Sequence, residues 1–533
     1  MAVIVHSSTT TGILATASGD TYVTLVDRFV SNTVDAVDFQ DFDNIEYFVH
    51  GAVIAGDDGI VSSGAANNID VAISASGSVM GGGDGIQFFG PGSDTFGNSV
   101  INHGSIVGQS GEGVDFRSNG SIIVNTGTIW GDSIAIFMSG DSNEAMNAGI
   151  VASNASGIQI TGDSARITNS GEVTVQGFHG LFVVGINGII ENDGLVTARD
   201  TGIDMTGDNG SITNTGRIIG EIGISVMTTT NAVAAPIDIA NHGIVQGRSV
   251  GVQLQAGETG DRLTLTNSGT ISVSNLDGLA IQGSSTTDII RNTGLIDGDV
   301  DLGDGNDAFR SGAGLISGTI DGGTGNDTIG GGAEDNRIEG GGGADLIYGG
   351  AGDDSLSSNW GGDTIFGGDG DDTIDAGNGY DLAWGGAGHD RIDMGSGQDT
   401  AHGGAGDDTI RAGGDGGDVL FGDAGDDVIV STGAGGDQIH GGLGNDTMTG
   451  GDGKDTFHFN KAAGHDVITD FADGEDSLDL TVFGTGFAAM NAAGAFSEGV
   501  GGTVIDLGVI GAEGSITLLG FALSDLGGAD FAF

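Results

Sequence analysis

The sequence contains no cysteine, which excludes disulfides and thiolate-bound metals. Its 533 residues include only 2 prolines, which excludes collagen, since that needs glycine and proline together. Lysine and arginine number 14 against 74 aspartates and glutamates, a formal net charge of −60. Such a chain repels nucleic acid, attracts cations, and opposes its own compaction unless counterions take part. No apolar run approaches the ~20 residues of a membrane helix, so no transmembrane segment is expected. The amino terminus, MAVIVHSSTT, has no basic region leading into a long apolar core. A cleaved secretory signal is therefore not expected there.

Glycine, in contrast, is abundant, with 109 residues beside a 37% hydrophobic share. That apolar share excludes a solvating acidic tail. The glycines recur with a period. From 322 to 458 the chain divides into fifteen nonapeptides such as GGDGDDTID (367–375) and GGAGDDTIR (403–411), with one-residue insertions at Ala412 and Ser431. An earlier copy, LGDGNDAFR, stands alone at 302–310. The sixth position is Asp in every continuous unit except 331–339, where it is Asn336, and the eighth is apolar. A flexible linker has no reason to keep an apolar residue at every ninth place.

The residue types dictate the chemistry. Glycines permit positive φ and a tight turn with inward carbonyls, and x-apolar-x suffices for a short strand with one inward side chain. Parallel stacking would align the Asp carboxylates at the strand spacing of ~4.8 Å, where bare charges repel. A hard dication between them supplies the attraction. Ca²⁺ accepts about six to eight oxygens from flexible loops, whereas Mg²⁺ demands stricter geometry and keeps its water.

The pattern resembles the nonapeptide of RTX (repeats-in-toxin) haemolysin-type calcium-binding proteins. That resemblance implies a parallel β-roll over 301–458, with about a dozen Ca²⁺ ions held between alternate units. The ligands it implies are the position-six aspartates: Asp307, Asp327, Asp345, Asp354, Asp363, Asp372, Asp381, Asp390, Asp399, Asp408, Asp418, Asp427, Asp437, Asp446 and Asp455. Position five varies, from Asp407 to Tyr380, His389 and Lys454, and reads as a solvated turn residue. Residues 302–458 hold 30 acidic and 5 basic side chains, a net −25 that a dozen dications would cancel.

A longer period precedes the array. N-x-G recurs at Asn102, Asn125, Asn147, Asn169, Asn192, Asn214, Asn241, Asn267 and Asn292. An apolar residue lies two places before each Asn, as at Ile123, Ile167, Ile190, Ile212 and Ile290. A second strand such as GVDF, GIQI or GIDM follows each Gly, apolar at alternate positions. Three short strands per ~22 residues make one coil of a parallel β-helix, placed at 49–300 with about ten coils. Stacked Asn side chains can hydrogen-bond along such an axis. Residues 1–48, with DFQDFDNIEYF, are expected to cap the first solenoid, and 459–533 the second, because open solenoid ends need covering.

The all-β class leaves function open. Residues 459–533 contain GHDVITDFADGEDSLDL, which resembles the segment closing RTX arrays, and end in DFAF, which resembles the uncleaved signal of proteins exported by type I ABC transporters. His458 and His465 read as ordinary polar residues. β-Helices joined to RTX repeats include mannuronan C5-epimerases, so a polysaccharide epimerase or lyase is the alternative. Between 49 and 300, however, there is no Lys and no Tyr, the one Trp is Trp130, and seven Arg fall in separate coils. His179 is the one histidine singled out for activity, and no preformed apolar cleft is expected. The expectation is a secreted bacterial structural or adhesive protein rather than an enzyme, of matrix, adhesin or surface-layer type, extracellular or on the cell surface. Its expected partners are calcium, a type I exporter, and either itself or a cell-surface polysaccharide.

Overall fold

The computed structural model describes residues 35–39, 44–62, 68–89, 97–229, 236–256, 261–414 and 416–532. It also describes the backbone of strands Val3–His6, Ile13–Leu14, Thr21–Thr24 and Phe29–Val30. Gln40 to Asp43 of the expected amino-terminal cap, and Phe533 of DFAF, lie outside the described residues. The chain forms two compact units, Met1–Val300 and Asp301–Phe533.

In the first unit most coils contribute three short strands, for example Ser99–Asn102, Ser105–Gly108 and Val114–Arg117, and in two coils the second and third run together as Arg217–Met227 and Ile244–Gln255. Each strand pairs in parallel with its counterpart one coil on, giving the registers Val100↔Ile123, Ile106↔Ile129 and Phe116↔Met138. The alternating sequence turns these apolar residues inward and buries them. Burial of each contributes roughly 1.5–3 kcal/mol, repeated coil after coil. At the corner after the first strand the asparagines stack. Asn125 Nδ2 donates to Oδ1 of Asn147 at 2.7 Å, and Asn147 to Asn169 at 2.8 Å. The series runs from Asn102 to Asn292 and is buried throughout. The following glycine is required by the stacking itself: a Cβ on Gly127 would lie 2.1 Å from the Gly104 carbonyl oxygen.

The ladder also includes Ile45–Val49, which pairs with Ile69–Ile73, which in turn pairs with Ser99–Asn102. Val49 and Ile73 occupy the register position that Asn102 holds in the next coil. Asn-x-Gly does not mark those coils, although the segments HGAVIAGDDGI and GSVMGGGDGIQF belong to them. Over both units the solenoid turns number about 19, so the ten expected for 49–300 undercount the solenoid as a whole.

The second unit has two strands per turn of two nonapeptides. One ladder runs Thr364–Asp369, Leu382–Ala387, Thr400–Ala405, Val419–Ala424 and Gln438–Leu443. The other runs Thr373–Asp375, Arg391–Gly397, Thr409–Gly413, Val428–Ser431 and Thr447–Thr449. The inward residue is the apolar eighth position: Ile365, Ala383, Ala401, Leu420 and Ile439 on one side, Ile374, Ile392, Ile410, Ile429 and Met448 on the other, all buried. Beyond the array, antiparallel strands Phe496–Gly499, Gly502–Asp506 and Gly514–Leu519 and the helix Phe487–Ala493 follow. Gly514–Leu519 pairs in parallel with Gly464–Ile468, so the final ladder edge is covered. Phe531 packs against Phe487 and Phe496, with ring centroids 5.4 and 5.8 Å away. Among the described residues no helix is long and apolar enough to cross a membrane.

Candidate calcium sites

The fold gathers the position-six aspartates into two columns. In one, the amide of Asp345 donates to Oδ1 of Asp363, Asp363 to Asp381, Asp381 to Asp399, and Asp399 to Asp418, at 2.7–2.9 Å. Asp307 and Asp327 precede this series, and Asp437 and Asp455 follow it. In the other, Asp354, Asp372, Asp390, Asp408, Asp427 and Asp446 are joined in the same way. Asn336 heads this second column, donating its amide to Asp354 Oδ1 at 2.7 Å. All fifteen aspartates named from the sequence are buried.

Each carboxylate is half satisfied. Oδ1 accepts the amide, while Oδ2 of every position-six aspartate from Asp327 to Asp455 is buried without a hydrogen-bond partner, Asp437 excepted. Asp437 Oδ2 accepts from the Ser431 hydroxyl at 2.6 Å. An orphaned buried anion is costly. Burial accordingly pushes the carboxyls up, Asp345, Asp354 and Asp408 to about 6 and Asp399 and Asp427 to about 7, against the smaller opposing effect of the donated amide. The orphan oxygens lie over the first glycine of their own units: a Cβ on Gly403 would come within 2.4 Å of Asp408 Oδ2 and 2.7 Å of the Gly422 carbonyl oxygen. The available donors are therefore carboxylate and carbonyl oxygens, with neither thiolate nor imidazole among them. This set fits a hard, oxygen-seeking dication and suits Ca²⁺.

Comparison with known families agrees. The RTX calcium-binding nonapeptide repeat, in sets of four copies, matches residues 321–356, 330–365, 357–392, 366–401, 384–415, 395–429 and 431–461. The chain carries RTX calcium-binding repeats. Among solved structures, the extracellular lipase LipA from Serratia marcescens is similar at 21% identity and a TM-score of 0.22, over 44% of this chain and 45% of that one. The chain thus spans less than half of the lipase. No curated protein matches.

Position five of the RTX repeat stays outside. Asp407 is exposed and belongs to a separate surface ladder, accepting the Asp426 amide at 2.9 Å. The sequence reading missed two members of the buried columns. Asp466 accepts the Asp446 amide at 3.1 Å, and Asp476 accepts that of Asp455 at 3.0 Å. Both retain the D-x-apolar signature, as DVI and DSL, but an insertion breaks the nine-residue frame before them. Also unread was position nine of alternate repeats, where Tyr348, Phe366, Trp384, His402, Phe421, His440 and His458 form one stack with centroids 4.1–5.8 Å apart. His458 Nδ1 sits 2.9 Å from Asp479, and His465 Nδ1 3.0 Å from the Ser515 hydroxyl.

Acids converge in the first unit too, at Asp84, Glu112 and Asp115. Protein donors already serve them: the Glu112 amide and Gln87 for Asp84, and Arg117 at 3.0 Å for Asp115. His179 packs on Phe182 at 4.6 Å, its Nδ1 3.2 Å from Asp204 Oδ2 but not aligned for a hydrogen bond. Beside it lies a cleft that the sequence did not predict, about 410 Å³ and lined by Gly177, Phe178, Arg199, Asp200, Glu221 and Arg248.

Proposed function

We propose that this is a secreted structural or adhesive protein whose RTX unit folds on calcium after export. The observation that carries the reading is the pair of buried carboxylate columns, in which every aspartate from Asp327 to Asp466 except Asp437 keeps one oxygen free of protein donors. The position-six aspartates, joined by Asp466, are the ligands, and about a dozen ions bind between successive turns. A metal-free array of this charge stays extended and threads a type I exporter; millimolar calcium outside folds it and gives transport a direction. Residues 459–533 carry the export signal and cap the array. Most strand positions facing out on the first unit are polar, a hydrated surface suited to matrix, cell-surface or self-assembly contacts.

The test is to express the full chain beside a type I exporter and compare medium with lysate, then titrate the secreted protein with calcium. Calcium-dependent gain of β-structure in exporter-dependent material is expected. Secretion independent of the exporter, or a fold indifferent to calcium, would contradict the reading. A second reading, a polysaccharide epimerase or lyase, has the half-buried His179–Asp204 pair in its favour, since burial pushes Asp204 up to about 6. Turnover of polyuronate by the secreted protein, abolished by His179→Ala, would establish it.

A further inference from the structure

The eight arginines of the first unit are scattered along the sequence, but the stacked turns bring two of them together. Gly177–Phe178, Arg199–Asp200, Glu221 and Arg248 occupy corresponding corners of successive coils, tied by backbone hydrogen bonds from the Asp200 amide to Gly177 and from the Ile222 amide to Asp200. Together they line the cleft of about 410 Å³. Three features of the cleft are complementary to one kind of ligand. Phe178 is 59% exposed, an unusual place for a large ring in this unit. Its ring is tilted 32° to His179, which is itself stacked on Phe182, so the rings line up along this corner. Arg248 is held by Glu221 at 3.2 Å, whereas exposed Arg199 has no carboxylate partner among the described residues.

We propose that this cleft binds a saccharide bearing a carboxylate. The apolar face of the sugar ring packs on Phe178, as aromatic side chains offer large, rigid contact area with little entropy to lose. The sugar carboxylate meets the planar fork of Arg199, which matches it in bidentate fashion. Asp200 and Glu221 accept from ring hydroxyls, and Arg248 stands at the far end of the cleft for the next residue of the saccharide. Coils repeat at ~4.8 Å, so a sugar chain lying along the axis meets one turn after another. This inference rests on the adhesive reading above and names the partner class.

The experiment uses the full chain in millimolar calcium, titrated calorimetrically with a galacturonate tetrasaccharide and, in parallel, with the neutral galactose tetrasaccharide. The uronate should bind at least tenfold more tightly. Arg199→Gln should abolish that preference, and Phe178→Ala should weaken both ligands; both side chains are exposed, so both variants should melt like the parent. No uronate binding at millimolar concentration, or an Arg199→Gln variant with unchanged preference, would overturn the proposal. Retention on the producing cells is measured in the same preparations. Calcium-dependent retention without uronate binding sinks the cleft assignment and leaves the adhesive reading standing, whereas uronate binding without retention on any surface does the reverse.

Discussion

Asp390 and Asp408 are eighteen residues apart in the chain and adjacent in space: the Asp390 amide donates to Asp408 Oδ1 at 2.8 Å, and Oδ2 of each is buried with no donor. One oxygen builds the solenoid while the other is left for an ion. Asp408→Asn keeps an acceptor for the Asp390 amide but loses the charge. It should raise the calcium concentration at the folding midpoint several-fold, read by circular dichroism. Asp407→Asn, next to it but exposed, should leave the midpoint within twofold.

The metal-free RTX unit should be more stable in acid than at neutral pH. Burial raises the carboxyls of Asp345, Asp354, Asp372, Asp390 and Asp408 from 3.8 to about 6, and of Asp399 and Asp427 to about 7. Between those values the folded state binds more protons than the unfolded one, so unfolding free energy falls as pH rises through 4 to 7. In chelator the array, extended at neutral pH, should gain β-structure on acidification below about pH 6, read by circular dichroism. With calcium the trend should reverse, because the ion competes with protons for the same oxygens. No gain of β-structure in chelator on acidification would contradict the assignment of these carboxylates as buried and unpaired.

His440 works in the opposite sense. Burial, and then the neighbouring His458, lower it to about 4. The unfolded state therefore binds the extra proton between about 4 and 6.5, and this contribution is complete above that window and lost on acidification. His440→Phe preserves the stack and removes the titration. In calcium-loaded protein it should raise the melting temperature at pH 5 relative to the parent and change it less at pH 7.5.

The first unit should hold without calcium, since apolar columns and the asparagine ladder support it. Ile212→Asp buries a charge inside a coil and should cost more than about 4 kcal/mol. Asn192→Ala breaks hydrogen bonds to Asn214 and from Asn169, at 2.8 and 2.7 Å, and should cost about 1–3 kcal/mol. Chemical denaturation of the full chain in chelator reads both, and equal midpoints for the two variants would contradict the inward placement of Ile212.

What could be read in advance was whatever repeats at a fixed interval. Ile212 and Asn214 announce their places because the same two residue types return each coil, and Asp408 announces its place because the nine-residue frame holds on both sides. Val49 and Ile73 did not, because an apolar residue replaces the asparagine at the same corner. Asp466 and Asp476 were hidden by an inserted segment, although the columns continue through them. The ring stack escaped notice because it uses alternate repeats and mixes Tyr, Phe, Trp and His, types that share planarity rather than polarity. The cleft at Phe178 and Arg199 is the least legible feature, since Arg199 and Arg248 are brought together only by stacking coils of unequal length.

The most direct test of calcium-coupled folding is amide hydrogen exchange on the full chain, with peptides resolved by mass, in chelator and in millimolar calcium, the ~10⁻⁴–10⁻³ M range of extracellular modules. The account predicts slow exchange across the coil strands from Ser99 to Asn292 in both conditions. It predicts rapid exchange from Thr328 to Ile468 in chelator, and slow exchange there once calcium is added. Equal protection of Thr328 to Ile468 with and without calcium would contradict it.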